Sequence, residues 1–232
     1  MPRTRWSYLL RRIVIAGLVL LLLPYLLTPL YLFVTPVSTP MLWRYATGQR
    51  VVRIVTPLDA ISPTVPALVI AAEDQRFCLH RGIDWDSLRQ VIEDAEDVED
   101  LRGGSTITQQ TVKNLFLWPG RSYVRKALEF PLSMWVDWVL PKRRIVELYL
   151  NIAEWGPNGE FGVEAGSLRA FNRPARDLGY GEAALLAAIL PNPVVRNARQ
   201  PGPAVRRLAG IYQRRALGFE KLTACIRRGR AP

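Results

Sequence analysis

The sequence predicts a mainly α-helical protein with one membrane-spanning helix at its N-terminus, and three observations support this fold class. An uncharged apolar run lies near the N-terminus, and amphipathic segments with helix-capping residues fill the chain after residue 66. In addition, β-like sequence is confined to a short patch at 51–55. At 232 residues, the chain has room for one domain and a short attachment.

The predicted membrane helix covers residues 13–34. No charged side chain occurs within 13–43, and 13–34 reaches the roughly 20 apolar residues that cross a bilayer as a helix. Pro24 and Pro29 are tolerated there as kinks, because neighbouring groups in a membrane re-satisfy the backbone. A cleaved signal peptide is the alternative, but it would have a shorter apolar run followed closely by a small-x-small cleavage site.

Basic residues before this helix predict its orientation. Positively charged flanks stay in the cytoplasm, and four arginines precede the apolar run: Arg3, Arg5, Arg11 and Arg12. We therefore divide the chain into a cytoplasmic basic tail (1–12), the transmembrane helix (13–34), a proline-rich connector with one strand (35–65) and an outward-facing helical domain (66–232).

Capping residues and helix breakers predict the helices of this domain in chain order. The first begins at Pro66 and continues to His80, before Gly82. The others are one capped by Asp84, 105–117 capped by Ser105, 122–140 capped by Ser122 and kinked at Pro131, one opened by Pro141, and then 162–171, 181–190 and 204–227. Two of them carry an apolar stripe, which is Trp85, Leu88 and Ile92 in the helix capped by Asp84 and Ile145, Leu148 and Ile152 in the helix opened by Pro141.

Charge and cysteine content narrow the partner class. A formal net charge of +11 with one histidine indicates an anionic partner, but it does not separate nucleic acid, lipid headgroups and phosphorylated substrates. The basic excess after residue 195 forms either a solvated helix face or a contact with anionic lipid. Cys78 and Cys225 are too few for a thiolate metal cluster. Outside the cytoplasm they are free to pair, but sequence separation does not show whether their sulfurs meet.

Glu73 and Asp74 are the first candidates for acid–base chemistry. They lie beside an apolar stretch in the first predicted helix. Partial burial and the negative end of a helix dipole both raise a carboxyl pKa towards the range of a general base. An acid pair at a helix end is also common as a solvated or structural feature, and spacing alone does not rank the two acids.

Two further segments carry polar groups suited to an anion. Two glycines open the segment 103–114, a helix start rich in hydrogen-bonding side chains, and free N–H groups at such a start bind anions. A well-capped polar helix is the alternative. Arg121, Arg125 and Glu129 then repeat every four residues on one helix face, with Lys126 adjacent. These groups form intrahelical ion pairs or, alternatively, the arginines neutralise a phosphate leaving group while Glu129 tunes them.

Taken together, these segments resemble the bacterial peptidoglycan glycosyltransferases in their stand-alone, monofunctional form. The resemblance covers roughly residues 66–203 and is carried by E-D-x-x-F-x-x-H-x-G-x-D from Glu73, G-G-S-T-I-T-Q-Q-x-x-K-N from Gly103, R-K-x-x-E from Arg125 and K-x-x-I-x-E-x-Y-L-N from Lys142. One departure is Asn172 in place of a turn glycine, and asparagine tolerates the same left-handed backbone. The Ser-x-x-Lys and Lys-Thr-Gly motifs of a transpeptidase do not occur, which predicts strand synthesis without cross-linking.

The resemblance implies a lysozyme-like helical fold that polymerises lipid II, an undecaprenyl-pyrophosphoryl disaccharide-peptide, into β-1,4-linked glycan strands with inversion. It implies no required cofactor, with a divalent cation, Mg²⁺ or Mn²⁺, as an optional ion at the pyrophosphate. The expected partners are lipid II and the growing chain, membrane lipid and other wall-synthesis proteins, with no nucleic acid. The implied location is the bacterial inner membrane, with the N-terminus in the cytoplasm and the catalytic domain in the periplasm.

The resemblance also assigns site residues. Glu73 is the general base that removes the proton of the acceptor 4-hydroxyl, which ranks it above Asp74, and Glu129 is a second essential acid. His80 is expected to be structural. Substrate-binding roles fall on Ser105, Thr106, Gln109, Gln110, Lys113, Arg121, Arg125 and Lys126, and no metal ligand is assigned. The neighbouring apolar residues 116–118 are expected to touch lipid.

Two other functions compete with this interpretation. A lytic enzyme on a similar fold would cleave glycan, but it has no obvious use for lysines and arginines matched to a lipid pyrophosphate. A non-enzymatic scaffold for wall-building partners is the second competitor. Charge alone also favours a nucleic-acid binder, which the outward topology disfavours.

Overall fold

The computed structural model describes residues 3–93, 104–120 and 122–227, and within these ranges it is mainly helical. The α-helices are α1 Arg3–Leu27, α2 Thr39–Ala46, α3 Thr64–Glu73, α4 Trp85–Glu93, α5 Ile107–Phe116, α6 Tyr123–Val139, α7 Lys142–Ile152, α8 Val163–Phe171, α9 Tyr180–Ile189, α10 Pro203–Arg215 and α11 Phe219–Leu222. The strands are β1 Val52–Arg53 and β2 Glu160–Phe161. The predicted mainly α fold class is therefore confirmed.

α1 continues into a short 3₁₀ turn, and together they form the segment, among the described residues, that is long and apolar enough to cross a membrane (Trp6–Leu32, mean hydropathy 2.4). Most of this segment is uncovered by protein, but its C-terminal end is packed. Trp135 Nε1 of α6 donates to the backbone oxygen of Tyr25 at 3.1 Å, and the Tyr31 ring stacks on Phe116 with 5.6 Å between centroids. The apolar helix is thus attached directly to α6 and α5.

The centre of the domain is α3, which is buried on every side. Its residues Val65 to Ala71 are all buried, as expected for a helix that is apolar all round. α3 packs against α9 and α10, while α5 packs between α6 and α7. The two groups of helices meet where α3 ends and α5 begins, because Asp74 Oδ2 accepts a hydrogen bond from the backbone N–H of Ile107 at 2.9 Å.

The first predicted helix is too long, since α3 ends at Glu73 and not at His80. Asp74 leaves helical geometry (φ −163°, ψ 74°) and directs its carboxylate to α5. Further along, Gly82 adopts φ +77°, and a Cβ there would lie 2.5 Å from the backbone oxygen of Ser133. Contacts with α5 and α6 therefore replace the last turns of the predicted helix by a tight, packed loop.

The start of α5 differs by one residue from the prediction. Thr106, not Ser105, caps the helix: its hydroxyl accepts from the N–H of Gln109 at 3.1 Å, and Gln109 Oε1 accepts from the N–H of Thr106 at 2.9 Å. This is a capping box, which satisfies two N–H groups of the helix end. Ser105 lies one residue outside, where its hydroxyl accepts from Lys126 Nζ at 3.0 Å.

Other helix boundaries follow the predictions closely. Asp84 Oδ1 accepts from the N–H of Ser87 at 3.2 Å before α4, and Ser122 caps α6 as predicted. Pro141 is the residue just before α7 and not its first residue. Asn172 ends α8 in the left-handed region (φ 54°, ψ 36°), which confirms that it takes the conformation of a turn glycine.

The C-terminal region is not the single helix predicted over 204–227. α10 ends at Arg215, and Gly218, with φ +74°, turns the chain into the short α11. A disulfide then joins Cys225 to Cys78, 147 residues earlier, in the loop after α3. The pairing that the sequence left open is therefore present. It joins the region after α11 to the loop that follows α3.

The connector 35–65 contains the expected strand and an unexpected helix. β1 pairs in parallel with β2, with Val52 opposite Glu160. α2 lies earlier, with Met41 fully buried, and Thr39 Oγ1 donates to the backbone oxygen of Leu117 at 2.6 Å. The many prolines suggested an irregular chain, but Pro36 precedes the helix and Pro40 lies in its first turn, where the missing N–H removes no helical hydrogen bond.

The apolar segment 116–118 is mostly packed against protein. Phe116 stacks on Tyr31, and Leu117 is 7% exposed. Trp118 is 46% exposed. The expectation that all three residues touch lipid is therefore wrong for Leu117, and Trp118 is the member of the segment with a free face.

Candidate active site

A cleft of about 360 Å³ opens where the end of α3, the approach to α5 and the end of α10 meet. Glu73, Ser105 and Arg215 line it, one from each of these elements. Glu73 is the last residue of α3, and its side chain is partly exposed. The helix end thus delivers a carboxylate to the wall of an open cavity.

A polar chain from two other helices holds one oxygen of this carboxylate. Gln110 Nε2 of α5 donates to Glu73 Oε2 at 2.7 Å, and the Tyr149 hydroxyl of α7 donates to Gln110 Oε1 at 3.2 Å. Glu73 Oε1 accepts no hydrogen bond from the residues that the structure describes. One oxygen is therefore fixed by the protein, and the other is available to a ligand.

Burial raises the pKa of the Glu73 carboxyl above its ordinary value. The hydrogen bond from Gln110 and the positive charges of Lys113 and Arg196 act against this rise, while the charge of Asp74 adds to it. The net direction is upward. A carboxyl with a raised pKa is a stronger base when ionised, which suits it to removing a proton.

Asp74 is used differently from its neighbour. It is 7% exposed, and its two oxygens lie 2.9 and 3.0 Å from His80 Nε2. Oδ2 also accepts from the N–H of Ile107. Both oxygens are therefore engaged in holding the loop after α3 against α5, so the geometry favours Glu73 over Asp74 as a base and gives His80 a structural contact.

A second acid lies within a cluster of cations on α6. Glu129 is 2% exposed, and its oxygens contact Arg125 Nη1 at 2.5 Å and Lys126 Nζ at 2.6 Å. The Lys126 ammonium also donates to Ser105 at the cleft wall. Thus the expected intrahelical ion pairs form, and they place a cation at the cleft.

Lys113 links this cluster to Glu73. Burial lowers the pKa of its ammonium, and the charges of Glu129 and Glu73 raise it. Because both acids act on the same ammonium, Lys113 lies in the electrostatic field of both. Lys113 therefore couples the carboxylate of the cleft to the cation cluster, whose Lys126 contacts the cleft-lining Ser105.

The structure brings most of the predicted site residues together, but not in equal roles. Glu73, Gln110, Lys113, Ser105 and the cluster of Glu129 belong to the site as described. Thr106 and Gln109 are 2% and 1% exposed and bond to each other in the capping box, so they shape the start of α5. Arg121 lies outside the described residues.

Three residues of the site were not assigned from the sequence. Tyr149 lies within a recognised motif, but nothing in the spacing indicated that its hydroxyl reaches Gln110. Arg196 acts on Glu73 electrostatically, and Arg215 lines the cleft. Both belong to the basic region after residue 195, where the excess of positive charge was the sequence feature that pointed to an anionic partner. Arg215 approaches Glu73 through the packing of α10 on α3, whereas Arg196 lies before α10 and donates to the backbone oxygen of Ala188 on α9 at 2.8 Å.

A helical fold with a basic carboxylate facing a cation cluster agrees with a family of glycan-polymerising enzymes. Residues 41–216, more than half of the chain, match the family model described as transglycosylase, and the chain belongs to this family. It is 64% identical over 214 residues to a biosynthetic peptidoglycan transglycosylase of Nitrobacter hamburgensis, covering 92% of this chain and 94% of the relative. A protein of the same name from Rhodopseudomonas palustris is 59% identical, covering 99% and 96%.

More distant relatives carry the same name. One from Agrobacterium fabrum is 47% identical, covering 94% of this chain and 97% of the relative. The lysozyme-like fold, the monofunctional transglycosylase class and the transferase activity expected from the sequence are confirmed. The protein polymerises glycan strands in cell-wall synthesis, and its substrate is of the glycan and lipid II class.

Proposed function

We propose that the reaction is an inverting transfer of the growing, lipid-pyrophosphate-linked glycan to the 4-hydroxyl of an incoming lipid II. Glu73 removes the proton from that hydroxyl, whose oxygen attacks the anomeric carbon as the pyrophosphate leaves. A single in-line displacement gives the β-1,4 linkage. The observation that carries the proposal is the position of Glu73, whose free oxygen belongs to a cleft-lining carboxylate with a raised pKa.

Positive charge stabilises the leaving group in this proposal. Pyrophosphate is a good leaving group because it departs as a stable anion, so neutralising its charge matters more than protonating it. Lys113, Lys126 and Arg125 supply this charge, and the sequence adds Arg121. Ser105 and Gln110 complete the substrate contacts.

Glu129 acts on these cations and not on the sugar. Its two short contacts fix Arg125 and Lys126 in position, and their repulsion would otherwise drive them apart. The buried acid therefore keeps the cation cluster assembled before substrate arrives. Such preorganisation stabilises developing charge without reorganisation during the reaction.

A divalent cation at the pyrophosphate stays a prediction of the family resemblance. Among the described ranges, no three His, Cys, Asp or Glu side chains are grouped in a way that holds a metal ion. Apart from Glu73, the acids that line the cleft already have partners: Asp74 contacts His80 at 2.9 Å, and Asp84 pairs with Arg76 at 3.4 Å. We therefore assign charge neutralisation to side chains and no step to a metal.

We further propose that the chain is a single-pass protein of the bacterial inner membrane, with its N-terminus in the cytoplasm and its domain in the periplasm. The apolar helix Trp6–Leu32 and the arginines at its start support this topology. The disulfide supports an oxidising compartment for the domain. Membrane lipid and other wall-synthesis proteins are the proposed partners, and nucleic acid is not one of them.

The test uses the full-length protein with purified lipid II in detergent, and polymer is measured on a gel. Wild type is expected to make glycan polymer, whereas Glu73→Gln loses about two to four orders of magnitude in rate, because the amide cannot take the proton. Folding of the variant is verified from its melting temperature. Near-normal polymerisation by Glu73→Gln would reject Glu73 as the base.

A second assay separates the proposal from a lytic enzyme and from a scaffold. The protein is incubated with preformed glycan strands and, in parallel, with lipid II. Shortening of the strands without polymer from lipid II would support lysis. No change in either substrate would support a scaffold.

A further inference from the structure

Tyr149 differs from the other polar members of its motif, K-x-x-I-x-E-x-Y-L-N. Lys142 pairs with an acid of α6, Glu147 Oε2 accepts from a backbone N–H at 2.8 Å, and Asn151 bonds to backbone groups at 2.7 and 2.9 Å. These contacts hold α7 in place. Tyr149 instead donates to Gln110, the residue that holds the proposed base.

The chemistry of the amide fixes its orientation. An ionised carboxylate only accepts hydrogen bonds, so Gln110 must turn its NH₂ group to Glu73. The amide oxygen then points towards Tyr149, where the hydroxyl donates to it at 3.2 Å. Without that hydroxyl, the same orientation leaves the amide oxygen without its protein partner beside the buried Tyr149 ring, which opposes the bond to ionised Glu73.

Tyr149 has no route to the substrate itself. Its side chain is 2% exposed, and it is not among the residues that line the cleft. Burial raises the pKa of its hydroxyl well above the usual value, and the charge of Glu73 adds to the effect, so the group stays protonated and able to donate. Any effect of Tyr149 on the reaction must therefore pass through Gln110.

We propose that Tyr149 is a positioning residue that, through the amide of Gln110, keeps Glu73 ionised and holds its Oε1 free for the proton of the acceptor hydroxyl. The inference rests on the proposed role of Glu73 as base. It gives a function to the chain Tyr149–Gln110–Glu73, which crosses from α7 through α5 to the end of α3.

The experiment compares pH–rate profiles of kcat/KM on lipid II for wild type, Tyr149→Phe and Tyr180→Phe. In Tyr149→Phe the bond to ionised Glu73 weakens, its pKa rises, and the acid limb of the profile moves to higher pH. The rate on that limb is expected to fall about tenfold, with recovery on the alkaline side. Tyr180 donates to the backbone oxygen of Gln213 at 2.7 Å, so Tyr180→Phe removes a similar bond and leaves the limb in place.

A double variant tests the route. Gln110→Ala alone moves the acid limb in the same direction, because it removes the donor to Glu73. Tyr149→Phe in the Gln110→Ala background is expected to add no further shift, since residues in one hydrogen-bond chain are not additive. Equal and additive shifts would overturn the proposal. Gln110→Ala also provides a measurement if Tyr149→Phe folds poorly by melting temperature.

Each outcome bears on one of the two proposals. A lower rate in Tyr149→Phe with an unmoved acid limb means a structural role and rejects the positioning role. A shift of equal size in Tyr180→Phe rejects it as well. Glu73→Gln is run beside these variants: if it still polymerises lipid II, then the base assignment fails, and the positioning role fails with it.

Discussion

Helix α6 carries two buried acids eight residues apart, and each pairs with a lysine at 2.6 Å. Glu129 pairs with Lys126, whose side chain is 31% exposed and reaches the cleft. Asp137 pairs with Lys142, which is 11% exposed and lies over the Phe77 ring at 4.5 Å. The same pair of groups therefore occurs once beside the wall of the cleft and once sealed in the core.

If the proposed mechanism holds, access and not charge separates the functional pair from the structural pair along this helix. An ammonium at a cleft can exchange part of its contact with an acid for a contact with an incoming anion. The ammonium of Lys142 cannot do so: burial lowers its pKa, Asp137 raises it, and the pair joins α6 to the first residue of α7. Removing either partner of such a sealed pair is costly.

Among the variants that test this comparison, the largest predicted effect is that of changing Glu129 in the pair beside the cleft. In Glu129→Gln, Arg125 and Lys126 lose the charge that holds them together, and we expect the rate of polymer formation from lipid II to fall about 10²–10³-fold. A melting curve shows whether the fold survives. A folded Glu129→Gln variant with a rate near wild type would reject a functional role for the Glu129–Lys126 pair.

Changes to the buried pair Asp137–Lys142 should lower the stability of the fold and leave the reaction rate nearly unchanged. In Lys142→Met, Asp137 is left as an uncompensated buried acid, which costs about 3–5 kcal/mol in the free energy of unfolding. Denaturant unfolding measures this loss, and activity per folded molecule is expected to stay close to wild type. The matched variant Asp137→Leu/Lys142→Met should recover much of the stability. Lost activity with unchanged stability would contradict the assignment.

A third variant changes Arg215, which lines the cleft. Within the described part of the chain, Arg215 forms no ion pair with an acid. Arg215→Ala is expected to raise KM for lipid II about tenfold, because a charge-assisted contact with an anionic group of the substrate is lost. Arg214→Ala, its neighbour on α10, removes equal charge away from the cleft. Equal KM changes in both variants would show a long-range charge effect only.

The smallest predicted effect is a change in melting temperature when Glu73, the proposed base, is replaced. A carboxyl whose pKa is raised on folding favours the folded state at low pH, and this contribution is lost as pH rises through the folded pKa. Glu73→Gln should therefore melt about 1–3 °C higher than wild type at neutral pH. The difference should vanish in acid, below the ordinary pKa of a glutamate. A lower melting temperature at neutral pH would contradict the raised pKa.

Much of this architecture is readable from local sequence, because caps act within a few residues. Asp84, Ser122 and Asn172 were predicted in their observed roles. The end of α3 was not, since a bond from Ile107 to Asp74 overrides helix propensity and is invisible locally. The same limit explains α2, whose buried Met41 makes sense only against the core.

The site divides in the same way. Glu73, Glu129 and Lys113 were assigned through motifs, which record chemistry at fixed spacing. Tyr149 was within a motif without a role, because a motif does not state which way a side chain points. Arg215 comes from a helix that packs on α3 from a distant part of the chain, and such contacts depend on tertiary structure.

The disulfide gives the chain an unequal topology. Because Cys78 is bonded to Cys225, α4 to α11 form a closed covalent ring, while α1 to α3 form an open arm that includes the apolar helix. A single protease cut within the ring would leave one molecule under non-reducing conditions and two fragments after reduction. A cut between the apolar helix and α3 would break the covalent link between that helix and the domain in either condition. Both fragments of a chain cut within the ring therefore stay covalently joined to the apolar helix, whereas a cut in the arm breaks that connection.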